Sequence, residues 1–305
     1  MKSAGRKIKK QRRPKKRRRF SEGYFYTVPA VLYMLALIGF PAIYNWKISF
    51  ENMTIKTYNA GTTKFVGLKN YIDLFHDSAF WNAFWNTFEY TIICLVIQFS
   101  IGLLLAILFS KKFPMAGKLR GLLVVSWLIP ATVTALMFKF MLSSDGIVNF
   151  LLIKAGIVDS GIGWLIDPKY AMKGLILANS WVGIPFNMLL LSTGLSNIPE
   201  DIYESAQIDG ANPIQRFFFI TIPLIKSSIL AVLVLGFVYT FKVFDLVYTM
   251  TNGGPVNSTE VLSTYAYYNS FKLYEFGKGA AVANVLFVIL FLVGLIYLRL
   301  IGKEE

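Results

Sequence analysis

Cysteine and histidine are almost missing from this sequence of 305 residues, which contains one of each. Cys94 has no second thiol in the chain to pair with, so an intrachain disulfide is excluded. His76 has no Cys or Glu-x-x-His partner, so a zinc site is not expected. Cys94 lies within an apolar run and is expected to be inert packing. His76 lies in a predicted loop and is expected at the surface.

The short motifs of common enzymes are also missing. No Gly-rich loop ending in Gly-Lys-Ser or Gly-Lys-Thr is present to cradle a phosphate, so the chain is not expected to hydrolyse ATP itself. Neither a nucleophile elbow nor a pair of catalytic acids on one helix is found. The sequence therefore predicts a non-catalytic protein with no cofactor and no metal site of its own.

Charged residues are scarce, at 16% of the chain, whereas hydrophobic residues make up 55% and the mean hydropathy is +0.53. Such a chain has too little polar surface for a soluble globule. Six apolar runs approach the about 20 residues that cross a hydrocarbon core of about 30 Å, and each must be helical because backbone groups in lipid have no water to bond. The sequence predicts an all-α polytopic membrane protein with helices at about 25–46, 84–109, 119–141, 172–195, 224–248 and 279–301.

Positive charge is concentrated at the start of the chain, where residues 1–19 carry twelve Lys or Arg and no acid. We interpret residues 1–23 as a basic cytoplasmic tail that fixes orientation and attracts anionic lipid, in preference to a nucleic-acid-binding arm. The apolar run that follows is too long for a cleavable signal peptide. Together with the basic loop 110–118, the tail predicts that both termini, including 302–305, and the segment 196–223 are cytoplasmic.

The polar segment 196–223 has the signals of two short helices. Pro199 and Glu200 predict a helix start, with proline where the backbone lacks a partner and an acid at the positive end of the helix dipole. Gly210 ends this helix. Asn212 begins the second as its N-cap.

The residues of this segment are spaced as in a known loop. They resemble the "EAA" loop of the membrane subunits of bacterial ATP-binding-cassette importers, with Ser205 in place of the usual Ala and Ile222 in place of the usual Leu. In that family the loop forms coupling helices that dock into a cleft of a cytoplasmic ATPase, and the alternative reading is an ordinary amphipathic loop between helices. The residues carried over to this role are Glu204, Ala206, Asp209, Gly210, Ala211 and Pro223.

The resemblance implies a type I ABC importer permease fold in the bacterial inner membrane. It also implies a second homologous permease subunit, two copies of an ATPase that holds ATP and magnesium, and an extracytoplasmic solute-binding protein. In this scheme Glu204 supplies an acidic contact to the ATPase. Gly210 lets the two backbones approach, since a side chain there would obstruct the turn.

Two further stretches extend the resemblance over residues 24–301, which we interpret as one permease domain. Residues 65–71 match a Phe-x-Gly-Leu-x-Asn-Tyr element of the family, and the turn cluster at 251–259 resembles an outer loop of sugar-type permeases. The aromatic residues of 65–85 are interpreted as an interface belt. These similarities imply that the cargo is a sugar or oligosaccharide.

A hydroxyl-rich solute requires aromatic faces and amide or hydroxyl partners. In maltose-type permeases the sugar lies between the helices that precede and follow the coupling loop, and helical spacing groups such residues on both. Gly183 and Gly236 could equally be packing contacts between helices. The candidate substrate path consists of Asn179, Gly183, Phe186, Asn187, Gly236, Tyr239, Thr240 and Phe244.

Few charges lie within the apolar runs. Lys242 and Asp245, three residues apart, are expected to form an ion pair on one helical face. Two alternatives to a sugar importer remain open. One is an ion-coupled secondary carrier, which would more often show unpaired carboxylates near the middle of the membrane; the other is an ABC permease for glycerol phosphate or a polyamine.

Overall fold

The computed structural model describes residues 20–110 and 114–301. The chain divides into two compact units, residues 1–45 and 46–305. The described residues are predominantly helical and form no β-strand, only an isolated bridge between Glu51 and Phe65. The predicted all-α fold is thereby confirmed. The predicted tail 1–23 and the C-terminus 302–305 lie largely outside the described residues.

Sixteen α-helices and three π-helical segments are described, numbered here in chain order. The first eight helices are α1 (Phe20–Met34), α2 (Phe40–Ser49), α3 (Ile55–Asn59), α4 (Lys69–Phe75), α5 (Ser78–Ser110), α6 (Ala116–Leu128), α7 (Ala131–Met141) and α8 (Ile147–Lys154). The others are α9 (Pro168–Ser196), α10 (Glu200–Ile208), α11 (Pro213–Arg216), α12 (Ile222–Leu224), α13 (Lys226–Phe241), α14 (Asp245–Met250), α15 (Leu262–Tyr267) and α16 (Phe276–Ile301). The π-helical segments are Leu35–Gly39, Phe217–Thr221 and Tyr268–Lys272.

Four helical stretches in the described residues are long and apolar enough to cross a membrane: Tyr26–Ser49, α5, α9 and α16. Two bent pairs raise the number to six. The helices α6 and α7 meet at 97°, and the stretch Pro213–Leu224 meets α13 at 69°. The first bend occurs at Ile129, which is extended because the following Pro130 disfavours a helical conformation at the residue before it.

The predicted fifth helix, 224–248, is not continuous. The helix α13 ends at Phe241, residues 242–244 leave the helical conformation, and α14 begins at Asp245. No glycine or proline marks this break. The hydroxyl of Ser263 instead donates to the carbonyl of Val243, so a partner outside the helix satisfies a backbone group that the break releases.

The helices α5 and α9 run side by side and approach closely where α5 carries a glycine. A Cβ on Gly102 would lie 2.7 Å from Cβ of Asn187, so only glycine allows this helix spacing. Buried apolar side chains pack around this pair in separate clusters. One cluster includes Phe241 and Leu262, and a second includes Met188 and Val232. A third cluster joins α5, α7, α9 and α14.

The second unit has two distinct ends. We call the end that carries α10 and α11 the loop end, and the end where α5, α9 and α16 begin the opposite end. At the opposite end Asp77 accepts hydrogen bonds from Lys278 Nζ at 2.8 Å and Tyr265 Oη at 2.6 Å, and its other oxygen accepts from the N–H of Ala79 at 2.9 Å. This carboxylate therefore joins the first turn of α5 to α15 and α16.

Candidate functional site

A cavity of about 410 Å³ lies between α5, α9, the α6–α7 bend and the α13–α14 break. It falls within the usual size range of small-molecule sites, about 300–1,000 Å³. Seven of the eight residues predicted for a substrate path line it. They are Asn179, Gly183, Phe186, Gly236, Tyr239, Thr240 and Phe244.

Aromatic rings form one side of this cavity. Phe186 packs edge-on against Tyr239, with ring centroids 5.8 Å apart, and the ring centroid of Trp127 lies 5.5 Å from that of Phe186. Both bends contribute to this wall, since Trp127 precedes the α6–α7 bend and Phe244 belongs to the α13–α14 break. The rings offer flat apolar faces beside the polar groups of α9 and α13.

The polar side of the cavity contains a residue that the sequence patterns did not identify, Gln98 on α5. Gln98 is 2% exposed, and its Nε2 donates to the main-chain oxygen of Asn179 at 3.1 Å. The Nδ2 atom of Asn179 is buried and has no hydrogen-bond partner among the described residues. A lone amide in the middle of a long apolar helix was the available signal for Gln98, because a polar group in lipid requires a partner.

Gly183 both lines the cavity and makes room for Gln98. A Cβ at this position would collide with the carboxamide of Gln98, so the two readings of this glycine, packing contact and cavity wall, both apply. For Gly236, a Cβ would lie 3.0 Å from Cδ2 of Leu95. This position tolerates a methyl group only if the Leu95 side chain shifts.

Asn187 is the exception among the predicted residues, because the structure places it away from the cavity. Its side chain is fully buried against Gly102 of α5, and its Nδ2 donates to the main-chain oxygen of Gly183 at 2.8 Å. Asn187 follows Phe186 by one residue, so its side chain points about 100° around the helix from that ring.

The expected ion pair between Lys242 and Asp245 is also absent from the described residues. The break between α13 and α14 separates the two side chains, which would have shared a face of a continuous helix. Both instead line the cavity, and the ammonium of Lys242 lies 5.5 Å from the ring centroid of Tyr239. The cavity therefore contains one positive and one negative group that are free to meet a solute.

The loop between α9 and α13 forms two short helices joined at Asp209–Ala211. Gly210 has φ +80°, a conformation that side chains disfavour. Within this chain a Cβ on Gly210 would meet no atom within 4 Å. Within this chain, the requirement for glycine therefore comes from the backbone angle and not from a neighbouring atom.

Local hydrogen bonds fix the geometry of this loop. The side chains of Asn212 and Gln215 each accept from the other's backbone N–H at 2.9 Å, which forms a capping box at the start of α11. The N–H of Ala211 donates to the carbonyl of the buried Ala206, and Tyr203 bonds to Thr221 at 3.0 Å across the two halves. The loop is thus a defined surface.

Three large apolar side chains of the loop are uncovered within this chain. Ile208, Ile214 and Phe219 are 87%, 70% and 79% exposed. Glu204 and Pro223 are exposed on the same loop, and a shallow depression of about 370 Å³ lies beside Asp209, Gly210 and Ala211. An exposed apolar patch with a polar border is typical of a protein–protein contact.

Comparison with known proteins identifies the family. The model for the family described as binding-protein-dependent transport system inner membrane component matches residues 98–303. The chain belongs to this family. It is therefore a transport permease component with several membrane-spanning helices in the inner membrane, and the resemblance drawn from the loop residues is confirmed.

The relatives of this inner membrane component include sugar permeases. The chain is 34% identical to the sulfoquinovosyl glycerol transport system permease protein SmoG of Agrobacterium fabrum, over 91% of this chain and 89% of that protein. It is 31% identical to the trehalose/maltose transport system permease protein MalF of Thermococcus litoralis, over 91% and 92% of the two chains. Both alignments span nearly the whole chain.

The fold also matches solved structures. A chain of a bacterial alginate ABC transporter, in complex with a periplasmic protein that binds an alginate pentasaccharide, has a TM-score of 0.77 at 22% identity. The match covers 90% of this chain and 92% of that one. This likeness confirms the predicted fold of an ABC importer permease.

Proposed function

We propose that this chain is the membrane-spanning subunit of an ATP-driven importer for a sugar or oligosaccharide. The observation that carries the proposal is the cavity between α9 and α13, whose lining combines aromatic rings with Gln98, Asn179 and Thr240. Rings and neutral donors are the groups that a hydroxyl-rich, uncharged solute requires. Relatives that transport sulfoquinovosyl glycerol and trehalose or maltose support the same class.

The connection between cavity and loop supports a coupling role for Glu200–Leu224. The helix α9 leads into α10 after three residues, and α13 follows α12 after Ile225 alone. A displacement of the loop would therefore pass directly to both walls of the cavity. In the proposed mechanism a separate ATPase, holding ATP and magnesium, moves the loop, and the cavity alternates between the two sides of the membrane.

The proposed assembly contains a second homologous permease, two ATPase copies and an extracytoplasmic solute-binding protein. The exposed apolar side chains of the loop support the ATPase contact, and Glu204 and Gly210 are exposed on the same loop. The basic tail supports a cytoplasmic position for both termini and for the loop.

Substitutions in the loop test the coupling role. We expect Gly210→Val and Glu204→Lys to abolish uptake and solute-stimulated ATP hydrolysis in the reconstituted importer, since one distorts the turn and the other reverses a charge at the contact. Gly156→Val is the matched control for Gly210, because Gly156 also has a positive φ, +69°, and open space around it. The exposed acid Glu200, one turn before Glu204, provides the control Glu200→Lys.

Two outcomes would contradict the coupling role. One is normal transport by the Gly210 and Glu204 variants. The other is an equal loss of uptake in both control variants, which would indicate general damage to the fold. Uptake driven by a pH or sodium gradient without any ATPase would instead identify an ion-coupled carrier.

A second candidate cargo is an acidic solute, such as a phosphate ester or an acidic sugar, and Lys242 favours it. This ammonium lines the cavity and forms no ion pair among the described residues. Asp245 lines the same cavity and would repel an anion. Lys242→Gln distinguishes the two classes, because it should weaken the apparent affinity for an acidic solute far more than that for a neutral sugar.

A further inference from the structure

A second cavity, of about 650 Å³, lies between α5 and α9 toward the opposite end, and the proposed transport mechanism does not use it. We call it the α5–α9 groove. On α5 its wall includes Glu89, Ile93 and Ile97, which share one helical face. On α9 its wall includes Lys169, Lys173 and Leu177.

The groove changes from charged to apolar along its length. Glu89, Lys169 and Lys173 are exposed at its rim, and isoleucine and leucine side chains line its deeper part. From Lys169 to Ser180 it follows α9 for about 16 Å at 1.5 Å per residue. This length is close to half of a hydrocarbon core of about 30 Å, so the groove has the depth of one leaflet.

The aromatic and basic residues at the rim are of the kinds found at the level of lipid headgroups. Trp164 lines the groove, and its indole N–H donates to Asn149 at 3.0 Å, which fixes the ring. The ammonium groups of Lys169 and Lys173 lie 5.4 and 5.3 Å from the ring centroid of Tyr170. Tryptophan, tyrosine and lysine together at a helix start are typical of the membrane interface.

The charged groups of the rim do not form ion pairs with each other. Within residues 20–110 and 114–301, neither lysine nor Glu89 forms an ion pair. The hydroxyl of Ser258 also lines the groove, is buried, and has no hydrogen-bond partner among these residues. The rim therefore presents two cations and one anion to a ligand, and a buried hydroxyl without a partner lies beside them.

We propose that the α5–α9 groove binds a phospholipid whose headgroup carries both a phosphate and a primary ammonium, as in phosphatidylethanolamine. The phosphate accepts hydrogen bonds from Lys169 and Lys173, and the ammonium donates to Glu89. One acyl chain lies between Ile93 and Leu177. This site rests on the membrane location of the family and not on the identity of the cargo.

A membrane-spanning helix of another subunit fits the groove less well. Such a helix is about 10 Å wide and crosses the whole bilayer, whereas the groove ends at Ser180, about half-way. A single acyl chain matches both this length and the apolar lining. The mixed charge at the rim matches a zwitterionic headgroup better than an anionic one.

Lipid retention by the purified importer tests the proposal. The complex is exchanged into nanodiscs of phosphatidylethanolamine and phosphatidylglycerol, and lipids bound after detergent extraction are counted by native mass spectrometry. We expect retained phosphatidylethanolamine in the parent and about thirtyfold weaker retention in the Lys169→Gln/Lys173→Gln variant, from about 1 kcal/mol per lysine. Glu89→Gln should keep the lipid count but shift its identity toward phosphatidylglycerol.

Two further variants isolate the groove. Lys154→Gln is the matched control, because Lys154 also lies over an aromatic ring, 5.9 Å from the centroid of Phe150, but outside the groove. Leu177→Trp should expel the acyl chain without changing any charge. Equal numbers and kinds of lipid in all variants would overturn the proposal, as would crosslinking of Ile93→Cys to a second permease subunit.

Discussion

Gly183 and Gln98 act as a pair at the scale of single residues. Gln98 reaches from α5 across Gly183 of α9 to the backbone of Asn179. Only the missing side chain of Gly183 leaves space for this amide. The position of one polar group in the cavity therefore depends on a glycine of the neighbouring helix.

Gly183→Ala should displace the Gln98 amide and weaken solute binding, at a cost of about 1–3 kcal/mol for overpacking. The effect should be smaller in a Gln98→Ala background, where the space is vacant, so a double-mutant cycle should give a coupling energy above about 0.5 kcal/mol. The dependence of ATP hydrolysis on solute concentration measures the apparent affinity of each variant, from which the coupling energy is calculated.

The control for this substitution is Gly121→Ala, because Gly121 lies within α6 with no atom within 4 Å of an added Cβ. It should leave affinity unchanged. Additive effects of the Gly183 and Gln98 substitutions would show that the two residues do not act together.

Helical spacing predicted seven of the residues that line this cavity. Asn179, Gly183 and Phe186 share a face in any regular helix, and so do Gly236, Tyr239 and Thr240. Asn187 lies outside this cavity because it packs on Gly102, a contact that sequence position alone does not show. Gln98 was missed because one amide in an apolar helix forms no periodic pattern.

At the scale of helices, Asp77 links α5, α15 and α16 at the opposite end of the second unit. Burial alone would raise the pKa of this carboxyl, but hydrogen bonds from Lys278, Tyr265 and the N–H of Ala79 outweigh it and hold the pKa below its usual range. Burial, followed by the hydrogen bond to Asp77, raises the pKa of Tyr265 to about 12. These interactions therefore favour an ionised Asp77 beside a neutral Tyr265.

Asp77→Asn should destabilise the protein by about 1–3 kcal/mol, because it removes charged hydrogen bonds and leaves the half-buried Lys278 without its partner. Since the folded pKa is lowered, the stabilisation is complete above about pH 4, the unfolded value. It is lost as the pH falls below that value.

Thermal unfolding in detergent from pH 3 to pH 7 measures this contribution. The gap in melting temperature between parent and variant should narrow below about pH 4. A gap of constant size over this range would show that ionisation of Asp77 does not stabilise the fold.

The positions at which helices bend or break were the least predictable part of the fold. The bend before Pro130 has a local cause in the sequence. The break at residues 242–244 has none, because Lys-Val-Phe is compatible with a helix and only the contact of Ser263 with Val243 marks it. That break removed the expected ion pair of Lys242 and Asp245.

For the whole molecule, the proposed orientation makes the two ends of the bundle accessible from different sides. The loop end would face the cytoplasm, and the turn cluster near Val256 would face the outside. Both carry a highly exposed apolar residue, Ile208 at 87% and Val256 at 90%. The one cysteine of the chain, Cys94, is buried.

A thiol reagent that does not cross membranes tests this orientation in a Cys94→Ala background. In cells that lack the ATPase, we expect Val256→Cys to react once the outer barrier is opened, and Ile208→Cys to react only after the inner membrane is permeabilised. Equal reaction of both positions from one side would contradict the proposed topology.

The shortness of α13 has a consequence for the bilayer around the importer. This helix has 16 residues, about 24 Å at 1.5 Å per residue, whereas the hydrocarbon core is about 30 Å thick. The difference must be taken up by α12, by α14 or by local thinning of the lipid. We therefore expect the acyl-chain length of the surrounding membrane to shift the conformational equilibrium of the cavity wall, and with it the rate of transport.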